Sequence, residues 1–410
     1  SVNGKGFESY YNGIGEKETI TMNGFRKELI VNVLPFWIER MQDAEHGGFY
    51  GRLDGRNEIH PKANKGAILN ARILWTFSAA YRILKKNEYR EIAQRAFDYI
   101  ETFFIDRKFG GAYWELDYKG NPVNCKKQIY AQGFMLYGFS EFYRATGVTR
   151  ALDRAKEFFW VIEKHRDEKY GGYPEAFTRD WQPIADMRLS EKDANEKKTM
   201  NTHLHILEPY TNLLRIWKNE VVVNTQRQLL SVFTEKILDP ETFHLNLFFD
   251  EVWTPKSSAI SYGHDIEASW LLIEAAEMLE DCDLLERMNG ISLKIAKAAT
   301  EGLDTNGGLN YEREGNYIDR EKHWWVQAEA VIGFYSAYQQ SNDVKYLNIA
   351  RQVWKYIQNH IIDKEHGEWY WSIRPDGTPN LTDDKAGFWK CPYHNGRMCM
   401  EMIERFEKTI

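Results

Sequence analysis

Two histidine–carboxylate pairs in this chain have the spacing of neighbours on one helix face. His264 and Glu267 are three residues apart, and so are His205 and Glu208, which places each pair on one side of a helix. A carboxylate beside an imidazole raises the basicity of the ring and fixes its tautomer. The pairs therefore predict proton transfer by histidine. By spacing alone, His264 and His394 fit a catalytic role and a structural role equally well.

His203 and His205 are only two residues apart, so they point in different directions on a helix. One of them can line a cavity, and we interpret His203 as a structural histidine whose ring nitrogens are satisfied by hydrogen bonds. The remaining histidines fall in turns or on solvent-facing helices, and we predict that they lie at the surface. They are His46, His60, His165, His244, His323, His360 and His366.

Two other chemistries fit some of these residues. A His-x-His pair with a distant histidine and glutamate resembles a metal ligand set, but the helical geometry of the pair argues against it, and we expect no metal. A glycoside hydrolase needs two carboxylates that flank the glycosidic bond, and Glu208, Glu267 and Glu329 keep that alternative open. The chain has neither a glycine-rich phosphate loop nor a dinucleotide fingerprint.

The residues that could do chemistry share one position in the elements that carry them. Each apolar helix is interrupted by polar residues near its N-terminus, and in a closed ring of parallel helices those ends meet at one mouth. Buried polar groups cost free energy unless they find partners, so six coincident interruptions predict one ligand site. The interruptions are Asn70 and Arg72; Tyr130 and Gln132; Asn201, His203, His205 and Glu208; His264, Asp265 and Glu267; Trp324, Trp325, Gln327 and Glu329; and Tyr393, His394, Asn395 and Arg397.

Aromatic residues lie beside these polar ends, among them Tyr130, Trp324, Trp325 and Trp389. Sugars present apolar C–H faces that pack on aromatic planes, and their hydroxyls remain for arginine, asparagine and glutamate. Core packing is the alternative for any single tryptophan. Clustered with convergent polar groups, the rings predict a carbohydrate cleft.

A turn motif repeats along the chain and organises these helices. It begins at Asp43, Asp106, Asp167, Asp304 and Asp363, with a degenerate copy at Phe243, in which Leu245 and Leu247 replace the glycine pair. The copies mark six units of roughly sixty residues, a period typical of repeat architectures. In each unit the turn precedes a short hairpin, an apolar helix such as residues 66–80, and an amphipathic helix such as residues 89–100.

Six such helix pairs predict an all-α fold, an (α/α)6 barrel with an inner and an outer ring and short β-hairpins in the loops at one mouth. The sequence lacks a linker rich in Pro, Ser or Gly, so we interpret residues 22–410 as a single catalytic domain. Residues 179–199 are interpreted as an inserted loop over the mouth, and residues 1–21 as a tail or an expression remnant.

Composition and charge exclude several classes of protein. Lys and Arg number 53 against 60 Asp and Glu, a net charge of −7 without a basic block, so a nucleic-acid partner is not expected. The sequence shows no apolar run of transmembrane length and no signal peptide. Four cysteines without CxxC spacing predict reduced thiols in a cytoplasmic protein. We expect a monomer or a weak homodimer.

Several segments, taken in order, resemble the N-acylglucosamine 2-epimerase superfamily and, within it, the cellobiose 2-epimerases. They run from about Phe25 to Phe406, and residues 390–397 have the form of the cellobiose branch. The resemblance implies an (α/α)6 barrel without a redox or metal cofactor. It implies inversion at C2 of the reducing-end glucose of β-1,4-linked disaccharides, which converts cellobiose to glucosyl-mannose and lactose to epilactose. The segments are GGFYG, KGAILNARILW, QIYAQGF, NTHLHILEPYTNL, YGHDIEASWLL, HWWVQAEAV and FWKCPYHNGRMC.

The resemblance also implies roles for individual residues. It places the acid/base pair on His264 and His394 and a third catalytic-site histidine on His205. It places substrate contacts on Arg72, Tyr130, Glu267, Trp325 and Trp389, to which the polar interruptions add Asn201, Glu208, Trp324 and Glu329.

The expected reaction opens the sugar ring, removes the C2 proton to give a cis-enediolate, and returns a proton to the opposite face. Other functions on the same barrel stay open. They are an N-acylglucosamine- or mannose-type epimerase, an aldose–ketose isomerase, a glycoside hydrolase and a carbohydrate-binding protein without activity.

Overall fold

The structure, a computed structural model, describes residues 22–408; the predicted tail, residues 1–21, lies outside the described residues. In chain order the helices are α1 (Met22–Lys27), α2 (Leu34–Arg40), α3 (Ala67–Leu84), α4 (Asn87–Tyr99), α5 (Ile129–Thr146), α6 (Thr149–Lys164), α7 (Met200–Ile216), α8 (Glu220–Val232), α9 (Tyr262–Glu277), α10 (Cys282–Ala299), α11 (Trp324–Ser341), α12 (Val344–Tyr356) and α13 (Tyr393–Glu407).

The helices that the sequence marks as apolar form an inner ring. Helices α3, α5, α7, α9, α11 and α13 each contact the next, and α13 contacts α3. In α3 every residue from Ala67 to Ala80 is buried, as expected of a helix that other helices surround. The closed ring confirms the predicted (α/α)6 barrel. We call the end at which the inner helices begin the mouth.

The outer ring is amphipathic and is completed by the start of the chain. In α4 the stripe of Tyr89, Ile92 and Ala96 is buried, while the opposite face is exposed to solvent. Helices α1 and α2 are joined by a π-helical stretch, Glu28–Val33, and this N-terminal helix packs on α13. Among residues 22–408 no helix follows α13, and the N-terminal helix of residues 22–40 takes the sixth outer position.

Short antiparallel strands surround the mouth. A strand that precedes an inner helix pairs with the hairpin of the next unit, as β1 does with β2, and a bridge between Leu53 and Ala386 joins the first unit to the last. The strands are β1 (Lys65–Gly66), β2 (Glu115–Leu116), β3 (Pro122–Asn124), β4 (Lys127–Gln128), β5 (Ala176–Phe177), β6 (Lys198–Thr199), β7 (Phe248–Phe249), β8 (Ile260–Ser261), β9 (Glu312–Glu314), β10 (Tyr317–Asp319), β11 (Lys322–His323) and β12 (Ser372–Ile373).

The inserted loop, residues 179–199, lies against the start of α5. The side chain of Gln128, the residue before α5, donates hydrogen bonds to the carbonyls of Met187 (3.2 Å) and Arg188 (3.0 Å).

The four cysteines are unpaired. Among residues 22–408, no helix combines the length and the apolar character needed to cross a bilayer.

Polar residues are not confined to the N-terminal ends of the inner helices, so that part of the prediction is wrong. Glu141, near the end of α5, is buried and accepts hydrogen bonds from Arg82 (2.7 Å) and Asn212 (3.1 Å). Arginine satisfies the buried carboxylate, and this charged layer lies at the end of the inner helices away from the mouth.

Candidate active site

The fourth residue of four inner helices holds the turn of its unit rather than a ligand. These residues are Gln132, His203, Asp265 and Gln327. Asn70, the fourth residue of α3, instead donates to the carbonyl of Gly66. Gln132 accepts from the backbone N–H of Ala112 (2.7 Å), and Gln327 does the same with Leu309 (2.8 Å). The prediction that all polar interruptions belong to one ligand site is therefore wrong for this set, whose hydrogen-bonding groups are used to fix hairpins.

His203 belongs to this set, as the sequence predicts for a structural histidine. Its Nδ1 bonds to the carbonyl of Thr199 (2.7 Å), and its Nε2 accepts from the N–H of Tyr173 (3.0 Å). The prediction of surface positions is wrong for two other histidines, because His244 is buried between carboxylates and His323 is buried and stacked on Tyr311.

The sixth residue of α3 and of these four helices faces the barrel axis. The guanidinium of Arg72 lies 4.4 Å over the ring of Phe134, whose ring centroid is 4.9 Å from that of His205. Nε2 of His205 lies 3.5 Å from a carboxylate oxygen of Glu267. Helix periodicity explains the split, since residues four and six of a helix point about 200° apart.

Arg397 joins the three glutamates at the bottom of the site. Its Nη2 donates to Glu267 (3.0 Å) and Glu329 (2.6 Å), and its Nη1 donates to Glu208. Glu267, Glu329 and His394 lie close enough together to suggest a cation site. Since the guanidinium already binds both carboxylates, the group is suited to Arg397 rather than to a metal ion.

Each of the three predicted catalytic histidines is held through Nδ1. Nδ1 of His205 lies 2.8 Å from Glu208, as the pair spacing predicts. Nδ1 of His394 lies 2.8 Å from Glu329, and Nδ1 of His264 lies 2.7 Å from the hydroxyl of Ser261.

The predicted pairing of His264 with Glu267 is wrong. Ser261 caps α9 by accepting the backbone N–H of His264, so its hydroxyl is placed beside the ring, while Glu267 is bonded to Arg397. The described residues offer no hydrogen bond to Nε2 of His264 or His394. These two nitrogens are therefore free to meet a ligand.

Burial sets the protonation of the site. It lowers the pKa of His264 to about 3, with a smaller contribution from His205. It lowers the pKa of His394 well below the ordinary value, assisted by the charge of Arg72, and it likewise lowers that of His205. Near neutral pH the three imidazoles are neutral, so a free ring nitrogen can accept a proton.

Burial has the opposite effect on two of the carboxyls. It raises the pKa of Glu267 to about 7 and raises that of Glu329 well above the ordinary value, with a further increase from the charge of Glu267. The charged form of a carboxyl is disfavoured in an apolar environment. The surroundings of Glu329 therefore favour its protonated form more than those of an ordinary glutamate do.

Aromatic rings line the mouth beside these groups. The partly exposed ring of Trp325 lies 4.6 Å from His264 and 5.5 Å from His394, centroid to centroid. Trp324 is buried against Trp371 (4.6 Å). The two adjacent tryptophans therefore differ in position. Trp325 contacts both His264 and His394, whereas Trp324 lies behind them.

On the opposite side, Tyr130 and Trp389 accompany Arg72. The Tyr130 hydroxyl accepts from Arg72 (2.9 Å), and the carbonyl of Trp389 accepts from the same guanidinium (3.1 Å). Asn201 is half-buried on the first turn of α7, with no hydrogen bond to its side-chain oxygen from the described residues. Both carboxyl oxygens of Glu208 and of Glu329 are bonded to protein groups, whereas Oε1 of Glu267 has no hydrogen-bond partner among the described residues.

The sequence prediction does not include Phe134 or Ser261, and it includes Tyr393 and Arg397 only as polar interruptions without individual roles. In the structure the hydroxyl of Tyr393 donates to Glu208. Ser261 stands three residues before His264, the spacing of an N-cap, and Arg397 stands three residues after His394. Both signals were readable as helix spacing. Phe134 occupies the sixth position of α5, which aligning the six units would have shown.

The chain matches known proteins along most of its length. Residues 48–396 match the family described as N-acylglucosamine 2-epimerase (GlcNAc 2-epimerase). The chain is 55% identical over 389 residues to the cellobiose 2-epimerase of Bacteroides fragilis, over 94% of this chain and 99% of that one. The structure of the cellobiose 2-epimerase from Bacillus thermoamylovorans B4167 aligns with a TM-score of 0.91 at 42% identity, over 94% and 99% of the two chains. A D-mannose isomerase, with a TM-score of 0.82 at 19% identity over 94% and 98%, shares the fold.

Proposed function

The chain belongs to the N-acylglucosamine 2-epimerase family, and we propose that it inverts C2 of the reducing-end glucose of β-1,4-linked disaccharides. Cellobiose would become glucosyl-mannose, and lactose would become epilactose. The similarity to cellobiose 2-epimerases supports the first substrate. Lactose, the second substrate, differs from cellobiose only in the non-reducing sugar, which does not react.

One observation carries the proposal: two histidines meet at Trp325, each with Nδ1 anchored and Nε2 free. Nδ1 of His264 is bonded to a neutral hydroxyl, whereas Nδ1 of His394 is bonded to the carboxyl of Glu329, whose pKa is raised by burial. If Ser261 accepts the Nδ1 proton of His264, its Nε2 carries a lone pair and is a base. If Glu329 donates its proton to Nδ1 of His394, the Nε2 of that ring carries hydrogen and is an acid.

This pair accounts for inversion at carbon. Once the sugar has opened to its aldehyde, Nε2 of His264 removes the C2 proton and leaves a cis-enediolate, whose oxygens accept hydrogen bonds from Arg72 and His205. After rotation about C2–C3, Nε2 of His394 gives its proton to the other face of C2. The proton of Glu329 moves to Nδ1 as the Nε2 proton leaves.

After one turnover His264 is an imidazolium and Glu329 a carboxylate. That state either catalyses the reverse epimerisation, with the two histidines exchanging roles, or is reset by proton exchange with water. Every step transfers a proton and none transfers an electron, so the scheme requires no redox cofactor.

The remaining residues hold the disaccharide. Trp325 and Trp389 would pack on the C–H faces of the sugars, with Trp324 supporting Trp325. Arg72, Tyr130, Asn201 and Glu267 would take the hydroxyls and the carbonyl. Glu208 and Glu329 act through His205 and His394, since their oxygens are already bonded.

The wider setting is part of the same proposal. Residues 22–410 would form one catalytic domain of a cytoplasmic enzyme that acts as a monomer or a weak homodimer. Its partner would be the disaccharide, not nucleic acid or a membrane. No metal would take part, since Arg397 occupies the carboxylates that could bind one.

The products of cellobiose and lactose test the proposal. We expect glucosyl-mannose and epilactose, each with an intact glycosidic bond, identified by chromatography against standards. Free glucose from cellobiose would instead indicate a hydrolase. A ketose as the main product would indicate an aldose–ketose isomerase, the activity in the name of one protein that shares the fold. Binding without any product would indicate a carbohydrate-binding barrel.

A further inference from the structure

Five of the six units fix their turn with a buried lysine that precedes the inner helix and binds the first aspartate of the turn. The lysine of four units opens the strand before the helix, as Lys65 does in β1. The pairs join Lys65 to Asp43 (2.8 Å), Lys127 to Asp106 (2.9 Å), Lys198 to Asp167 (2.7 Å), Lys322 to Asp304 (3.0 Å) and Lys385 to Asp363.

The fourth unit lacks this pair. Its turn keeps the aspartate, Asp239, but the strand before α9 opens with Ile260 instead of lysine. The turn also lacks glycine, and Phe243 adopts a φ of 60° in its place. This is the unit whose inner helix carries His264.

A histidine of the turn makes a different ionic contact there, with carboxylates of α9 and of the segment after α10. His244 is buried, with 3% of its surface exposed, and its Nδ1 lies 2.7 Å from Asp265 on α9. Its Nε2 lies 2.9 Å from Glu301, in the 3₁₀ turn Thr300–Gly302 that follows α10. An ionised carboxylate only accepts hydrogen bonds, so a ring that is hydrogen-bonded to one at each nitrogen carries a proton on both. Burial raises the pKa of Asp265, but the hydrogen bonds from His244 and from the N–H of Leu245 oppose that rise. The geometry therefore favours the imidazolium form of His244.

The surrounding charges agree with that state. Asp265 also accepts the N–H of Leu245, and Glu301 lies 3.4 Å from Arg313 of β9. Burial disfavours the charged ring, but the hydrogen bonds and charges of Asp265 and then Glu301 outweigh it and raise the pKa of His244. The ring of Tyr262, at 6.1 Å, packs beside it. The charge of His244 also interacts with Asp239, on the turn itself.

We propose that His244, held as an imidazolium, is a positioning residue that fixes the start of α9 and thereby the ring of His264. Asp265 is the neighbour of His264 in sequence, and Ser261, which holds the ring of His264, begins the same helix. The positioning role rests on the proposed epimerase function, whereas the charge of His244 does not.

The sign of the pH dependence follows from the charge. A histidine with a raised pKa in the folded state stabilises the fold fully below its unfolded pKa, about 6.5, and loses that contribution as pH rises through the folded pKa. Above that point one ring nitrogen presents a lone pair to a carboxylate. Lysine keeps its charge to much higher pH, so the fourth unit is the one whose turn loosens first on the alkaline side.

Two measurements test the proposal, one on charge and one on function. The first is NMR of protein labelled with ¹⁵N-histidine, with the His244 signals assigned by their loss in His244→Gln. The second is kcat for cellobiose epimerisation across the same pH range. The variants are His244→Gln, the double variant His244→Gln/Ile260→Lys, which supplies the missing lysine beside Asp239, and His360→Gln, which removes an exposed histidine as a control.

We expect His244 to be an imidazolium at neutral pH and to titrate with a midpoint above about 6.5. Wild-type and His360→Gln kcat should fall through that midpoint, and His244→Gln should have a lowered kcat without that fall, by about tenfold to hundredfold for a small misplacement of the reacting group. The double variant should regain activity and keep it at alkaline pH.

The failures are distinguishable. A neutral His244 ring at neutral pH would overturn the proposal that His244 is an imidazolium, whatever the activity. If His244 titrates as expected but the kcat of His244→Gln equals that of wild type at every pH, the positioning role is overturned. Failure of the wild-type protein to epimerise cellobiose would overturn the proposed function and leave the NMR titration as it is.

Discussion

His205, His264 and His394 differ in the group bonded to Nδ1, and in the proposed scheme this difference sets their chemistry. The sequence predicts all three residues and the contact of His205 with Glu208, because a spacing of three along one helix fixes that pair. It does not predict that Glu329 holds His394, 65 residues away. That contact crosses the barrel, and its distance in sequence has no relation to its distance in space.

Replacing Glu329 with glutamine tests the proton path at the residue scale. The introduced amide would keep a hydrogen bond to Nδ1 of His394 but could not pass a proton to it, so we expect kcat to fall by about 10²-fold or more with little change in KM. Steady-state kinetics of Glu329→Gln with cellobiose provide the measurement.

Glu208→Gln is the matched control, since it is the same change at the carboxylate of His205, which does not transfer the C2 proton in the scheme. Its kcat should fall less. An equal loss in both variants, or an active Glu329→Gln enzyme, would contradict the path through Glu329.

At the scale of elements, the sequence predicts the two kinds of helix and the end where the site lies. The apolar and amphipathic patterns are determined by burial, which is visible in residue types. The polar pattern does not by itself separate the fourth residue of an inner helix from the sixth, although Gln132 and Phe134, or His203 and His205, show the two-residue step. Without the units aligned, turn-holding and axis-facing polar residues look alike.

The inner helices approach one another closely, and this limits the size of the side chains where they meet. A Cβ on Gly133 of α5 would lie 2.3 Å from the backbone oxygen of His205 on α7, so Gly133→Ala must push the two helices apart. We expect a loss of about 1–3 kcal/mol in the free energy of unfolding, as overpacking gives, and a lowered kcat because His205 is displaced.

Gly290→Ala in α10 is the control, because its Cβ would meet no atom within 4 Å. It should leave kcat unchanged and raise stability slightly, since alanine favours helix over glycine. Urea unfolding and kcat are measured on both variants. A Gly133→Ala protein as stable and active as wild type would show that the helices can part without cost.

At the scale of the whole molecule, the chain closes a ring with its two ends. The repeat predicts six inner helices but not their last partner, since the outer helix that packs on α13 lies at residues 22–40. Hydrogen bonds from Trp37 to Glu368 (2.7 Å) and from Trp369 to Glu28 (2.8 Å) join the ends. The closed ring brings residues from all six inner helices to one mouth. This arrangement allows groups from different helices to act on opposite faces of one substrate carbon.

The most direct test of that site is proton NMR of cellobiose incubated with the protein in D2O. The scheme predicts that glucosyl-mannose forms with deuterium at C2, and that neither His264→Ala nor His394→Ala, each folded, gives this product. Product formed at the full rate with the original hydrogen still at C2 would contradict proton transfer between two histidines.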